Sequence, residues 1–344
     1  MSGMMVVILA LVIVAGVKTK AENAGFHIAD DTENSYEQQV AGQTDTTQDS
    51  GQEKWQEGVV TYEGKEYLYN TDIKTYLMMG VDIDGPVQQS SDYTQGGQSD
   101  ALFLLVVNNK TEQLQVISIN RNTMADIELC DEEGIDMGPL KTQICLQHAF
   151  GDGKRLSCSK TVDAVSGLFQ NIPISGYLAM NMGGIPQMND AVGGVEVTVQ
   201  QDISFPKAGV NLKKGQKVTL NGTQAYYYLH GRDTEEYDSA TKRLQREEQY
   251  IVAYMDKLKK VSTENPDQVT EIYNSVSDYL VTSVDFTSMI EQLMNYGFSE
   301  DQMYTVPGKT VEGKRVDLGG RRIIKKDEDA MEELIMKVFY TPVQ

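Results

Sequence analysis

Three apolar runs of strand length dominate the first half of the chain: "KTYLMMGVD" at 74–82, "DALFLLVVN" at 100–108 and "LQVISINR" at 114–121. Their hydrophobicity is nearly continuous rather than alternating, which is the pattern of strands covered on both faces. The last two are joined by "NKTE" and are predicted to pair as a hairpin. Just upstream, "VVTYEGKEYLYN" predicts another hairpin with Glu63 and Gly64 at its turn. Ser159 is placed to cap a helix running to about Gln170, with Val162, Val165, Leu168 and Phe169 on its inner side. Beyond it, "AVGGVEVTVQQDI" reads as a strand after a glycine turn. "KVTLNGTQAYYYLHGR" passes from a short strand through Asn221 and Gly222 into a helical turn.

From Thr241 to Lys260 the apolar residues Leu244, Ile251, Met255 and Leu258 fall at helical spacing, which places Arg243, Arg246 and Glu247 on adjoining positions of one helix. Further helices are predicted near 267–281, 286–296 and 327–339, with a strand at "QMYTVPG". Strands interleaved with helices give an α/β fold class: a single domain with a central mixed β-sheet covered by helices. No internal repeat interrupts this pattern.

The N-terminus changes the picture. Met4 to Val17 is an uncharged apolar run, short for a bilayer span and suited to a signal-anchor segment within residues 1–20. Residues 21–57 are rich in Gln, Thr, Asp, Ser, Glu and Gly and read as a disordered acidic tether. The folded domain is therefore expected at 58–344, with its core at 70–260 and a C-terminal helical extension at 261–344. Lys18 and Lys20 follow the apolar run and no basic residue precedes it, so charge bias alone puts the domain inside the cell. Met1 is accordingly expected to be an internal start, with a short basic segment upstream of it.

Composition narrows the chemistry. The formal net charge is -20 at pH 7 and the sequence pI is about 4.5; this argues against nucleic acid, which needs a broad basic face. Cys130, Cys145 and Cys158 match no zinc spacing and form no disulfide framework, so they read as buried fillers. Against the acidic background, "YYYLHGRDTEEYDSATKRLQREEQYI" gathers Arg232, Lys242, Arg243 and Arg246. Such a cluster either pairs with Glu235, Glu236, Glu247 and Glu248 on a solvated helix face or grips a small anion. Asp82, Asp100 and Arg121 sit at the ends of neighbouring apolar strands, where ligands of α/β sheets bind. Two such carboxylates suit a hard divalent cation, magnesium keeping water and substrate phosphate in its shell.

The order "LMMGVD", "SDALFLLVV", "VISINRNT", "LQHAFGDG", "MNDAVGGVEVTV" and "LNGTQAYYYLHGRDTEEYDSATKRLQREEQYI" resembles the LytR-CpsA-Psr family of cell-wall proteins over about residues 70–260. The resemblance implies a single-pass membrane protein of a Gram-positive bacterium, with its catalytic domain outside the cell. It implies a phosphotransferase that moves a glycopolymer, such as teichoic acid or capsule, from a polyprenyl-pyrophosphate carrier to peptidoglycan. By the same resemblance Asp82 and Asp100 hold Mg2+ and join Arg121 as catalytic residues. Arg121, Arg232, Arg243 and Arg246 bind the pyrophosphate, with His230 and Glu247 at matching substrate-binding positions.

Five positions depart from the family pattern: Asp84 stands for Arg, Asn122 for Asp, Cys145 for Lys, His230 for Arg and Glu247 for Gln. A histidine at 230 serves the anion only if it keeps its proton. These departures keep two alternatives open: a polyprenyl-phosphate-binding module with weak or no transferase activity, and a metal-dependent lipid pyrophosphatase.

Overall fold

Glu63 and Gly64 both have positive φ, 49° and 74°, the geometry that lets a two-residue turn follow the twist of its strands. They join β1 (Val59–Tyr62) to β2 (Lys65–Tyr69), as the sequence predicts. The fold is that of a computed structural model, which describes residues 58–231, 239–265, 268–284, 296–298, 300–312 and 322–343. The apolar segment at 4–17, the tether at 21–57 and the helix expected near 286–296 fall outside the described residues, save Tyr296. No helix among the described residues is long and apolar enough to cross a membrane.

The three long apolar runs form β3 (Ile73–Val81), β4 (Ser99–Asn108) and β5 (Gln113–Ile119). β4 lies antiparallel between the other two. After a hairpin of β6 (Met124–Cys130) and β7 (Asp136–Gln143), helix α1 (Arg155–Leu168) crosses to β8 (Gly176–Asn181), which pairs parallel with β3. Helix α2 (Ile185–Ala191) follows, then β9 (Val195–Thr198), the hairpin of β10 (Ile203–Phe205) and β11 (Val210–Leu212), and β12 (Lys217–Leu220), which pairs antiparallel with β9. Helices α3 (Gly222–His230), α4 (Ser239–Glu264) and α5 (Gln268–Val276) come next.

The C-terminal stretch carries helices where they are expected near 267–281 and 327–339, but it is more than a helical extension. It supplies both edges of the six-stranded central sheet, β13 (Leu280–Thr282) and β14 (Met303–Thr305), in the order β13-β8-β3-β4-β5-β14. β13 is antiparallel to β8 and β14 parallel to β5, so the sheet is mixed. β14 falls within the strand expected at "QMYTVPG", whereas β13 is three residues long and carries too short an alternation to announce itself in sequence. The hairpin of β15 (Gly308–Glu312) and β16 (Arg322–Lys326), then helix α6 (Glu328–Phe339) and β17 (Tyr340–Pro342), complete the chain, β17 pairing with β2.

Alternate residues of one strand serve opposite cores. Met78 and Phe103 face the side of α2, α3, α4 and α5, whereas Leu77, Met79 and Leu104 face α1 and α6. All five are fully buried, which is why the runs read as continuously apolar. Helix α1 starts at Arg155, ahead of the expected Ser159 cap. The Asp152 carboxylate accepts from the backbone N–H of Lys154 at 2.8 Å and of Ser157 at 3.2 Å; Ser159 lies inside the helix and donates to the Leu156 carbonyl. At α3 the helical turn expected after Asn221 and Gly222 is present, and Asn221 and Gln224 form a capping box at its start. The three cysteines are free and buried.

Candidate functional site

Because β4 runs antiparallel to β3 and β5, the end of β3, the start of β4 and the end of β5 meet at one edge of the sheet. A register shift at Gly80/Val81 bends the end of β3, a common device for re-aiming a side chain at a site. A Cβ on Gly183 would lie 1.6 Å from the Asp84 carbonyl oxygen, so glycine alone lets the chain after β3 press against the 181–184 segment.

Asp100 is the centre of the site and only 2% exposed. One carboxylate oxygen, Oδ1, forms an ion pair with Nη1 of Arg121, and Oδ2 lies 3.5 Å from Nη1 of Arg243. Arg243 also donates from Nη2 to the Asp100 carbonyl at 3.1 Å. Burial alone would raise the Asp100 carboxyl, but the cations around it, Arg121 and Arg243 among them, hold it well below the ordinary carboxylate value.

Asp82 follows β3 and accepts from the Gln98 backbone N–H at 2.6 Å. Partial burial raises its carboxyl, and the neighbouring Asp100 charge raises it further. Gln98 binds both sides of the site, because its side-chain oxygen also accepts from Nη2 of Arg121. The same Nη2 lies 3.2 Å from the sulfur of Cys145. Burial pushes the Cys145 thiol up, so it meets the guanidinium as a neutral acceptor.

Helix α4 brings in the basic cluster, and here the solvated-face alternative fails. Arg243 and Arg246 are 1% and 0% exposed, and Glu247 is 1% exposed. Glu247 Oε1 lies 3.4 Å from Arg243 Nε, one turn back along the helix. The structure uses Arg246 differently from the expected pyrophosphate contact. It donates from Nε to the Tyr228 carbonyl at 2.7 Å and from Nη2 to the Gly231 carbonyl, clamping the C-terminus of α3. A cation there satisfies carbonyls that the helix leaves without partners.

His230 ends α3 and stacks on Tyr226, with ring centroids 5.2 Å apart. Burial, then the nearby Arg243 charge, lowers its pKa to about 4. His230 is therefore neutral at pH 7 in the ligand-free site, contrary to the charged histidine that an anion site requires. Arg232 falls outside the described residues. Asp84 accepts from the Tyr226 hydroxyl at 2.7 Å, and Asn122 accepts from the Gln143 amide at 2.7 Å.

Asp82, Asp100, Arg121, Arg243 and Glu247 thus come together from four separate stretches of chain. Sequence reasoning missed Gln98 and Tyr226. Gln98 stands two residues before Asp100, and that proximity to a strand-end carboxylate was its only signal.

Glu247 gives the site a measurable pH dependence. Burial pushes its carboxyl from 4.5 up to about 7, with Arg243 pulling the other way. Between those values the folded state binds a proton that the unfolded chain releases, so stability falls as pH rises from about 4.5 to about 7. Glu247→Gln should flatten this slope and raise stability at pH 8 by on the order of 3 kcal/mol. Urea denaturation across this pH range checks it; an unchanged slope in the variant would remove Glu247 as the cause.

The sequence model of the LytR_cpsA_psr family matches residues 29–338. The chain belongs to the LytR-CpsA-Psr family. It is 30% identical over 231 residues to polyisoprenyl-teichoic acid-peptidoglycan teichoic acid transferase TagU of Enterococcus faecalis, a match covering 67% of each protein. It is 28% identical over 220 residues to the TagU of Halalkalibacterium halodurans, covering 64% of each. The chain thus spans about two thirds of the length of these relatives. Among solved structures it resembles B. subtilis TagV in fold, with a TM-score of 0.58 at 22% identity, covering 78% of this chain and 96% of that one. The central mixed sheet with its helical layers is accordingly a LytR-CpsA-Psr fold.

Proposed function

We propose that the protein is an extracytoplasmic, membrane-anchored phosphotransferase that moves a glycopolymer from a polyprenyl-pyrophosphate carrier to peptidoglycan. The observation that carries this reading is the buried Asp100 carboxylate held between Arg121 and Arg243, with Asp82 beside it at the same strand end. A second support is the likeness to relatives named as teichoic acid transferases.

In this reading Arg121 and Arg243 neutralise the pyrophosphate, their orientation fixed by Asp100, Gln98 and Glu247. Arg246 acts at one remove: it holds the end of α3, and therefore His230, in position. The hydroxyl of an acceptor sugar attacks the phosphorus nearest the glycan, an O–P bond forms, the bridging O–P bond breaks, and the hydroxyl proton leaves with the released polyprenyl phosphate.

The donor chemistry at the strand end fits magnesium. Two carboxylates lie at this strand end, and burial, then the Asp100 charge, raises the Asp82 carboxyl; a divalent cation would relieve that repulsion. No group of three or more His, Cys, Asp or Glu side chains among the described residues forms a complete ligand set, so water and phosphate oxygens would complete the shell. Mg2+ bound by Asp82 and Asp100 would supply charge stabilisation at the phosphoryl oxygens.

The departures at 230 and 247 favour one other reading, a binding module with weak transfer, because neutral His230 and the Arg243–Glu247 pair both reduce the positive charge offered to a ligand. Incubation with a synthetic lipid-linked saccharide and peptidoglycan separates the readings. Glycan appearing on peptidoglycan supports the transferase; glycan released into solution points to a pyrophosphatase; binding without turnover points to the module.

Asp82 tests the metal on its own. It is only partly buried and pairs with no arginine among the described contacts, so Asp82→Asn should leave the urea midpoint unchanged while Mg2+ no longer tightens binding of a prenyl-pyrophosphate analogue. Calorimetric titration with and without Mg2+ reads this, and full Mg2+ dependence in the variant would exclude Asp82 as a ligand.

A further inference from the structure

The motif "LQHAFGDG" at 146–153 contributes no side chain to the arginine site. Its polar groups act inside the fold. Gln147 pairs with β6 as a neighbouring strand would, donating to the Glu128 carbonyl at 2.9 Å and accepting from the Glu128 N–H at 2.7 Å. The Asp152 carbonyl accepts from the Ser90 N–H at 2.9 Å, and the Ala149 carbonyl accepts from the Gly96 N–H at 3.0 Å. The motif therefore braces the stretch of chain that leads from β3 into β4. His148, only 1% exposed, lies at the middle of that brace.

The geometry points to His148 as a positioning residue for the site: it holds the peptide unit before Gln98 and, through it, the Asp82 carboxylate and the Arg121 guanidinium. The inference rests on the transferase reading for what those two groups bind. Three observations carry it. First, ring Nδ1 lies 3.0 Å from the carbonyl oxygens of both Gly96 and Gly97. A carbonyl only accepts, so Nδ1 carries the proton and shares it between them.

Second, the Gly97 carbonyl and the Gln98 N–H belong to one planar peptide unit. That N–H donates to Asp82 at 2.6 Å, so the ring and the carboxylate hold opposite edges of the same plane. A carbonyl that accepts a hydrogen bond makes the N–H of its own unit a stronger donor. Fixing the plane also fixes where the Gln98 side chain starts, and its oxygen accepts from Nη2 of Arg121.

Third, the ring is kept in one tautomer. Nε2 lies 3.7 Å from the sulfur of Cys158. Burial lowers the His148 pKa and pushes the Cys158 thiol well above its ordinary value, so a protonated thiol donates to a neutral ring. Two glycines make the close approach possible. A Cβ on Gly96 would lie 2.7 Å from the His148 carbonyl oxygen, and Gly97 has a φ of +80°.

The test uses the full chain and two substitutions that separate the ring nitrogens, because an asparagine amide reaches the place of Nδ1 and a glutamine amide that of Nε2. His148→Asn should keep the affinity for a prenyl-pyrophosphate analogue in the presence of Mg2+, whereas His148→Gln should lower it by about tenfold or more. Both variants lose the packing of the ring, so a histidine that only fills space would not distinguish them; equal affinities, or the reverse order, overturn the inference. Hydrogen exchange of the Gln98 amide reads the brace without ligand. It should be faster in His148→Gln than in His148→Asn, and equal exchange overturns the brace. Exchange in that order, in a chain whose wild type binds no analogue, supports the brace and removes the transferase reading instead. The wild-type ring gives a check that needs no variant: in NMR of isotope-labelled histidine, one imidazole should carry its proton on Nδ1 and stay neutral from about pH 5 to about pH 8. The absence of any such ring overturns the inference.

Discussion

Asp100→Ala should lower stability by about 3–5 kcal/mol and abolish transfer, because it removes the carboxylate that Arg121 and Arg243 share and leaves Arg243 with Glu247 alone. Arg121 pairs with one Asp100 oxygen and Arg243 lies 3.5 Å from the other, in a position only 2% exposed. A carboxylate at a strand end ordinarily sits in water and does not hold up a core, and from the sequence Asp82 and Asp100 look equivalent. Their environments separate them. Asp82→Asn should act on metal and ligand alone, whereas Asp100→Ala should shift the urea midpoint as well. An Asp100→Ala protein with the wild-type midpoint would mean that the arginines find other partners and that the carboxylate is not their anchor.

Arg243→Ala combines both kinds of effect. The loss of a charge-assisted hydrogen bond to a pyrophosphate, worth about 1.5–3 kcal/mol, should weaken binding of a prenyl-pyrophosphate analogue roughly tenfold to a hundredfold. A solvated arginine would lose about 0–1 kcal/mol of stability, but Arg243 is 1% exposed and lies against both Asp100 and Glu247. Its removal should therefore cost about 3–5 kcal/mol, and more at pH 8 than at pH 6, since Glu247 titrates near pH 7 and loses its counterion. Adding Glu247→Gln should recover part of the stability at pH 8 and none of the binding. Denaturation at both pH values and ligand titration of the single and double variants measure this together. Unchanged binding in Arg243→Ala would place the pyrophosphate elsewhere, and a pH-independent stability loss would uncouple Glu247 from Arg243.

The sequence by itself determined the long central strands, because β3 and β4 bury alternate residues in two cores and their runs are apolar throughout. It determined the start of α3 through a local signal, the turn at Asn221 and Gly222. It also placed Asp82, Asp100 and Arg121 at the ends of neighbouring apolar strands, and the antiparallel pairing of β3 with β4 seen in the structure brings those ends together. The order of six short motifs pointed to the LytR-CpsA-Psr family, which the match over residues 29–338 bears out.

Only the tertiary structure decided the rest. The start of α1 depends on Asp152, whose carboxylate competes with the Ser159 signal from outside the periodic stretch. The edge strand β13 is three residues long and takes its conformation from β8 beside it. Above all, Arg243, Arg246 and Glu247 share one helix in the sequence, but the structure gives them three roles. Arg243 faces Asp100, Arg246 clamps α3, and Glu247 is buried beside Arg243. Spacing along a helix fixes which side chains are neighbours; what covers them is set by chain segments distant in sequence, and for a charge that cover decides between a solvated face and a buried site.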